Sequence, residues 1–244
     1  MARRRFFVEE IRRGAAELTG TDAEHLVRVL RVEPGERFEI SDNRNVYLAE
    51  VETARKSRVE FRIIEAIEPK PVRLQTTLVA ALFKFDRFEW MLEKATELGV
   101  WTVQPVEATR TERGLAQASA KRSERWERIA LEASQQSRRD RLPRIERTVR
   151  FPKALEMAAD VRLLLDEFPN APPILQCLPT VHTFPVHVAL LLGPEGGWTD
   201  EERTEALRAG WQSCSLGPTV LRAETAAAAA LAIASAWGTI LHMS

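Results

Sequence analysis

Cysteine occurs only twice in the 244-residue chain, at Cys177 and Cys214, too few and too far apart for a CxxC zinc or redox motif. Both read as reduced core residues. Histidine is nearly as scarce, and its four copies show no metal-ligand spacing, so no metal is expected. His182, His187 and His242 lie in loop or apolar contexts that suit a structural role. Neither a GxGxxG turn nor a P-loop with its lysine is present, which leaves the chain without a phosphate-binding fingerprint. Excess charge is absent too: 35 Lys and Arg balance 35 Asp and Glu, which by itself argues against a generic nucleic-acid binder. From Thr225 to Ser244 no Asp, Glu, Lys or Arg occurs, a length that raises the question of a membrane span. The stretch is Ala mixed with Ser, Thr, Gly and His, far less apolar than a Leu/Ile span, so a buried helix of a soluble protein is expected. At the other end, Glu9-Glu10 interrupts Arg3-Arg4-Arg5-Phe6-Phe7-Val8 before an apolar signal-peptide core forms, so a cytoplasmic location without membrane is expected.

The residues present, 45% hydrophobic and 29% charged, are those of a soluble globular protein long enough for one large domain or a small one beside a medium one. Charge is unevenly distributed. Arg110 to Arg147 holds 11 Lys and Arg against 6 Asp and Glu, whereas Thr148 to the end holds 6 against 10. The basic stretch is nearly all arginine, which suits planar bidentate phosphate contacts and base stacking better than lysine. For any single arginine there, a solvated helix face laced with glutamate is the simpler account.

Two prolines in Glu68-Pro69-Lys70-Pro71 prevent helix and mark a boundary, giving units of 1–70 and 71–244. Upstream, Arg37–Ser41, Val46–Val51 and Val59–Ile63 alternate with a strand period, Asp42-Asn43-Arg44-Asn45 reads as a hairpin turn, and Asp22–Leu30 reads as a helix. This is a small β-rich module, barrel-like or sandwich-like. Downstream, strands alternate with helices. Leu74–Phe83 is an apolar run suited to a strand buried on both faces, and a helix is expected to open at Asp86 with Glu89 as its capping-box partner. Further strands are expected at Trp101–Val103, Ile145–Val149, Val161–Asp166, Val186–Leu192 and Ser213–Leu216, with helices at Ser119–Gln136, Pro152–Ala159, Thr199–Ala209 and Ala223–Ile240. The alternation predicts an α/β domain with a mainly parallel sheet, a class that binds ligands at the carboxyl ends of its strands.

Two strand-ending loops stand out. The first runs Leu192-Gly193-Pro194-Glu195-Gly196-Gly197-Trp198 into a helix capped by Thr199 with Glu202. Glycines there let the backbone approach a ligand closely. Glu195 would repel a phosphate and suits a ribose hydroxyl pair or a positive charge, both found in S-adenosylmethionine. Taken alone, the segment fits a tight turn with no ligand equally well. The second runs Ser215-Leu216-Gly217-Pro218-Thr219-Val220-Leu221-Arg222-Ala223-Glu224-Thr225-Ala226 into an Ala-rich helix. Glu224 at a helix start suits the dipole. Arg222 opposes it, which points to a specific partner. Two such loops from one sheet can wall a single pocket.

Together these loops resemble the RsmE family, SPOUT-class methyltransferases that act at N3 of a uridine in 16S rRNA. Arg5-Phe6-Phe7, His25-Leu26, Val29-Leu30-Arg31-Val32, Glu93–Gly99, Thr111-Glu112-Arg113, Arg125–Ile129 and Glu132–Arg138 continue the likeness over nearly the whole chain. After Arg113 the family usually continues with Ser and an apolar residue, where Gly114-Leu115 stand here. The resemblance implies a small N-terminal PUA-like RNA-binding barrel, a SPOUT-type parallel-sheet methyltransferase domain tied in a trefoil knot around S-adenosylmethionine, and a homodimer. It implies that Leu192, Gly193, Pro194, Glu195, Gly196, Gly197, Leu216, Gly217, Leu221, Arg222, Thr225 and Ala226 bind the cofactor, with 16S rRNA in the small ribosomal subunit as partner. N3 of uridine must lose its proton to accept a methyl group, so a fixed cation that stabilises the anion is the chemistry to seek. Arg222 is the candidate, with Glu224 orienting it. Arg113 and Arg138, then Arg28 and Arg31, are the candidate RNA contacts, and His25 suits packing or RNA contact. Rival readings are a SPOUT enzyme acting on tRNA or large-subunit rRNA, a non-catalytic RNA-binding assembly protein, and a nucleotide-binding metabolic enzyme.

Overall fold

The computed structural model describes residues 5–69, 71–168, 170–180 and 184–240; His182 and His242 lie outside them. The chain divides into two compact units, one of Met1–Pro71 with Leu131–Leu142, the other of Val72–Ala130 with Pro143–Ser244.

In the first unit, strands β1 (Arg5–Phe7), β2 (Ile11–Arg12) and β3 (Ala15–Thr19) precede helix α1 (Gly20–Arg28), followed by β4 (Arg37–Ser41), β5 (Val46–Arg55) and β6 (Arg58–Ile67). They form a six-stranded sheet in the order β1-β4-β5-β6-β3-β2, antiparallel except for the β1–β4 pair. The sequence pattern located β4 to β6 and missed the short β1 to β3, whose two to five residues are too few to show a period. The hairpin turn between β4 and β5 is built by Asp42, whose carboxylate accepts from the backbone N–H of Arg44 at 2.9 Å and of Asn45 at 2.7 Å, while Asn43 takes a left-handed φ of 67°. Alternate strand residues, among them Ile40, Ala49, Val51, Val59 and Phe61, are buried against Leu26 of α1.

The second unit comprises β7 (Leu74–Ala81), α2 (Phe85–Glu97), β8 (Thr102–Glu107), α3 (Leu115–Ser119), α4 (Ser123–Gln136, its last residues grouping with the first unit), β9 (Arg144–Ile145), β10 (Val149–Arg150), α5 (Phe151–Ala154), β11 (Val161–Leu165), α6 (Ile174–Cys177), β12 (Val186–Leu192), α7 (Asp200–Arg208), β13 (Gln212–Cys214) and α8 (Ala223–Ile240). Seven strands form one parallel sheet in the order β10-β8-β7-β12-β11-β13, with β9 beside β8. The near-continuous apolar runs of β7, β11 and β12 follow from burial on both faces. With a side-chain period of two, Leu78, Leu163, Val188 and Leu190 join α2 and α8 in one core, while Val79, Leu164, Ala189 and Leu191 pack with Phe151, Trp198, Ala206 and Trp211 in the other.

Four expectations need correction. The strand expected at Ile145–Val149 is two short ones, Arg144–Ile145 and Val149–Arg150. Helix α2 begins at Phe85 with no side-chain cap, because the Glu89 carboxylate, almost buried, takes Arg125 at 2.7 Å and Arg122 at 3.1 Å instead. A nearly buried charge finds paired cations more favourable than a frayed backbone N–H. The helix expected at Pro152–Ala159 is a single turn, Phe151–Ala154. Helix α8 is long and apolar enough to cross a membrane by length and composition, but only one stripe of it, Ala223, Ala227, Ala230, Leu231, Ala234 and Gly238, is buried, and it lies against the sheet. The opposite stripe, including Thr225, Ala232, Ala236 and Ile240, is exposed. The capping box of α7 forms as expected, Thr199 accepting from the Glu202 N–H at 3.1 Å and Glu202 from the Thr199 N–H at 3.1 Å.

Candidate functional site

Strands β12, β11 and β13 lie side by side, and their carboxyl ends release Gly193, Asp166 and Ser215 at one edge of the sheet. A cavity of about 330 Å³ opens there. It lies within the range of small-molecule sites, roughly 300–1,000 Å³. Leu192, Gly193, Pro194, Glu195 and Gly197 line one side, and Leu216, Gly217, Leu221, Arg222 and Ala226 another. The structure thus brings the two loops into one pocket. Gly196 and Thr225 are not among its lining residues, and neither is Glu224.

Local chemistry explains the shape of the first loop. The Gly197 N–H closes a tight turn on the Pro194 carbonyl at 2.8 Å, and Gly197 takes a φ of +69°, a conformation that side-chain-bearing residues seldom adopt. A Cβ on Gly193 would come within 3.2 Å of the Trp198 indole, which itself donates to the Leu165 carbonyl at 3.3 Å and so ties the loop to the end of β11. Both glycines thus suit the loop's own packing, Gly197 by its backbone conformation and Gly193 by its closeness to Trp198. Arg110, from the segment after β8, donates to the carbonyls of Gly196 at 2.7 Å and Trp198 at 3.2 Å, and the Thr109 N–H reaches Glu202 at 2.7 Å. In the second loop the Ser215 hydroxyl accepts from the Gly217 N–H at 3.1 Å and donates to the Gly217 carbonyl at the same distance.

The charged groups of the pocket are mostly paired. Glu195 accepts from Arg87 of α2 at 2.5 Å, so its charge is already met within the protein. Asp166, its side chain only 1% exposed, holds Arg203 of α7 side-on at 2.8 and 3.2 Å and takes the Ser213 hydroxyl at 3.3 Å. That carboxylate raises the Arg203 pKa above its ordinary value by hydrogen-bonding the charged form. Two lining groups, Glu167 and Arg222, make no hydrogen bond or ion pair among the described residues. Arg222 stands immediately before α8 with its carbonyl accepting the Ala226 N–H, and its side chain is exposed. No hydrogen bond or ion pair joins Glu224 to Arg222 among the described residues, and the Glu224 Oε2 is buried without a hydrogen-bond partner among them.

The candidate RNA contacts differ in their freedom. Arg31 and Arg113 are exposed, and neither makes an ion pair among the described residues. Arg28 faces Glu24 one turn back at 3.7 Å. Arg138 is committed: it pairs with Glu39, which also holds Arg5, while Arg5 in turn bonds Asp140 and the Arg138 carbonyl. Sequence reasoning missed Arg87, Asp166, Glu167 and Arg203. The signal available was the position of Asp166 and Glu167 at the end of an expected parallel strand, the same place in the sheet from which both recognised loops depart.

The chain matches the model of an RNA methyltransferase domain over residues 69–235 and that of an RNA methyltransferase PUA domain over residues 18–64. It is 35% identical to the ribosomal RNA small subunit methyltransferase E of Synechocystis, over 92% of this chain and 74% of that protein, and 31% identical to the one of Bacillus subtilis, over 95% of both. The chain belongs to the ribosomal RNA small subunit methyltransferase E family. Within that family the Neisseria gonorrhoeae enzyme, solved bound to S-adenosyl methionine, shares the fold with a TM-score of 0.85 at 29% identity, over 96% of this chain and 98% of that one. A Legionella pneumophila protein solved with bound SAM gives 0.86 at 29% identity, over 97% and 98%. The parallel-sheet methyltransferase fold with a PUA-like unit before it is therefore that of methyltransferase E structures.

Proposed function

We propose that this chain transfers the methyl group of S-adenosylmethionine to N3 of a uridine in 16S rRNA, in the cytoplasm. The observation that carries the reading is the single cavity that the Leu192–Gly197 loop shares with Leu216, Gly217, Leu221, Arg222 and Ala226 at the carboxyl edge of the sheet. Its residues fit the cofactor. Leucines and alanine offer apolar walls for a base, and exposed backbone and a free carboxylate offer partners for hydroxyl and amino groups. Bound there, S-adenosylmethionine supplies an electrophilic methyl on a positively charged sulfur.

The chain's own part is positioning and charge. Arg222, at the cavity and with a side chain unpaired among the described residues, stabilises the negative charge that spreads over the uracil imide as N3 loses its proton. Arg113, Arg28 and Arg31 contribute phosphate contacts; Arg138 contributes by ordering its loop through Glu39. In this reading 1–70 is the RNA-binding domain, 71–244 is a trefoil-knotted catalytic domain, and the exposed small-residue stripe of α8 serves a homodimer.

Two measurements test the proposal together. Calorimetric titration of the purified protein with S-adenosylmethionine should give one site per chain. N3-methyluridine should vanish from one position of 16S rRNA when the gene is deleted and return when it is restored. A protein that takes up the cofactor while the rRNA of deleted cells stays fully modified has a different RNA target, and one that does not take it up is not this enzyme.

A further inference from the structure

Three carboxylates line the cavity, and two are consumed within the protein: Glu195 by Arg87 and Asp166 by Arg203. Glu167 is the third. It follows Asp166 directly at the end of β11, and its Oε1 lies 3.2 Å from the point a Cβ on Gly197 would occupy, so the side chain reaches across to the glycine loop. It is exposed and makes no hydrogen bond or ion pair among the described residues. A carboxylate has two acceptor oxygens and no donor, so it seeks hydrogen-bond donors from a ligand.

We propose that Glu167, rather than Glu195, is the acceptor for the ribose hydroxyl pair of the methyl donor; the inference rests on the reading that this cavity holds S-adenosylmethionine. Of the donors that molecule carries, the neutral diol fits better than its ammonium group or its cationic sulfur. Two guanidinium groups already stand near Glu167: Arg203 feels its charge, and Arg110 Nη1 lies 4.0 Å from the same Gly197 point. Those cations oppose a third positive charge and leave two hydroxyl donors unopposed. The spare residue between the cavity's paired charges therefore sets specificity for a ribonucleoside.

The test is a cycle of dissociation constants measured by calorimetry, with native protein and Glu167→Ala against S-adenosylmethionine, S-adenosylhomocysteine and the 2′-deoxy form of the latter. Glu167→Ala should weaken the first two equally, by about tenfold, the value of one hydrogen bond to a charged group. Removal of the 2′-hydroxyl should weaken binding to the native protein but cost the variant little. Loss confined to S-adenosylmethionine would give Glu167 to the sulfonium, and a deoxy penalty undiminished in the variant would remove it from the diol; either overturns the proposal. Glu167→Gln, isosteric with the native residue, supplies the same cycle with smaller amplitude should the alanine variant be misfolded. Native protein that binds none of the three ligands refutes the cofactor reading itself, a result distinct from both.

Discussion

The Nη1 of Arg110 donates to the carbonyl of Gly196 across 2.7 Å, joining the segment that carries Thr111-Glu112-Arg113 to the glycine loop of the cavity. A second bond from the same atom to Trp198 lengthens the hold, and no other side chain is bonded to these two carbonyls among the described residues. Arg110→Ala should leave the loop looser in the absence of ligand. A charge-assisted hydrogen bond at an exposed site contributes about 1 kcal/mol, so cofactor affinity should fall roughly fivefold with little loss of global stability. Titration calorimetry checks it. Unchanged affinity would mean that the Pro194–Gly197 turn holds the loop unaided.

Arg222→Ala should lower turnover at saturating cofactor by roughly 10²-fold, the scale of removing one preorganised group from a developing anion. Cofactor affinity should change much less, because the side chain is exposed and makes no hydrogen bond or ion pair among the described residues. Arg222→Lys keeps the charge and should recover part of the rate. Near-normal turnover of the alanine variant in a single-turnover assay would take Arg222 out of the chemistry. Glu224→Gln, by contrast, should leave the behaviour of Arg222 intact, since no hydrogen bond or ion pair joins the two side chains among the described residues.

The Asp166–Arg203 pair joins the end of β11 to α7, and Ser213 of β13 adds a third hydrogen bond. Removing one partner of a buried ion pair leaves the other charge uncompensated, a cost of about 3 kcal/mol at the lower end of the usual range. The lower end applies because Arg203 retains 19% side-chain exposure and a second carboxylate, Asp200, at 2.9 Å. Urea unfolding of Asp166→Ala should show that loss. Asp166→Leu combined with Arg203→Met should recover most of it, because an apolar pair of similar volume avoids desolvation; failure to recover would show that the pair does more than fill its space.

The parts of this architecture that were legible in the sequence are those whose pattern is repeated or chemically singular. The β7 and β12 runs announce themselves because burial on both faces favours largely apolar residues, and the Thr199–Glu202 capping box is a local four-residue device. Leu192–Gly197 and Leu216–Ala226 stood out by composition. What stayed hidden was pairing across the chain. Arg87 and Glu195 are 108 residues apart, so nothing near Glu195 reveals that its charge is taken. Glu89 misled for the same reason: its spacing from Asp86 suits a cap, while its partners Arg122 and Arg125 lie more than thirty residues away. The short strands β1 to β3 escaped because too few residues repeat in them.

Cys214 packs in the core beside the second loop, and burial pushes its thiol up to about 12; Cys177 is also buried and raised by burial. Thiol reagents attack the thiolate. At pH 8 neither residue should react with a disulfide reagent on the folded protein over the time in which urea-unfolded chains react completely. Rapid labelling of Cys214 under native conditions would show that β13 opens locally, and with it the second wall of the cavity.

Glu39 joins Arg5 at 2.8 Å and Arg138 at 2.5 Å, tying β1 and β4 to the segment after α4 within the first unit. Burial alone would raise its pKa, but hydrogen bonds from Arg138 and Arg5, aided by their charges, outweigh burial and hold it below the ordinary 4.5. A carboxyl group with a lower pKa when folded binds fewer protons in that state than in the unfolded chain. Its stabilising contribution is therefore complete above pH 4.5 and is lost as the pH falls through the folded value. Glu39→Gln should be less stable than the native protein at pH 6, and the gap should narrow steadily between pH 4.5 and 3, measured by urea midpoints at each pH. A gap that stayed constant over that window would show that Glu39 stabilises by shape and neutral hydrogen bonding rather than by its charge.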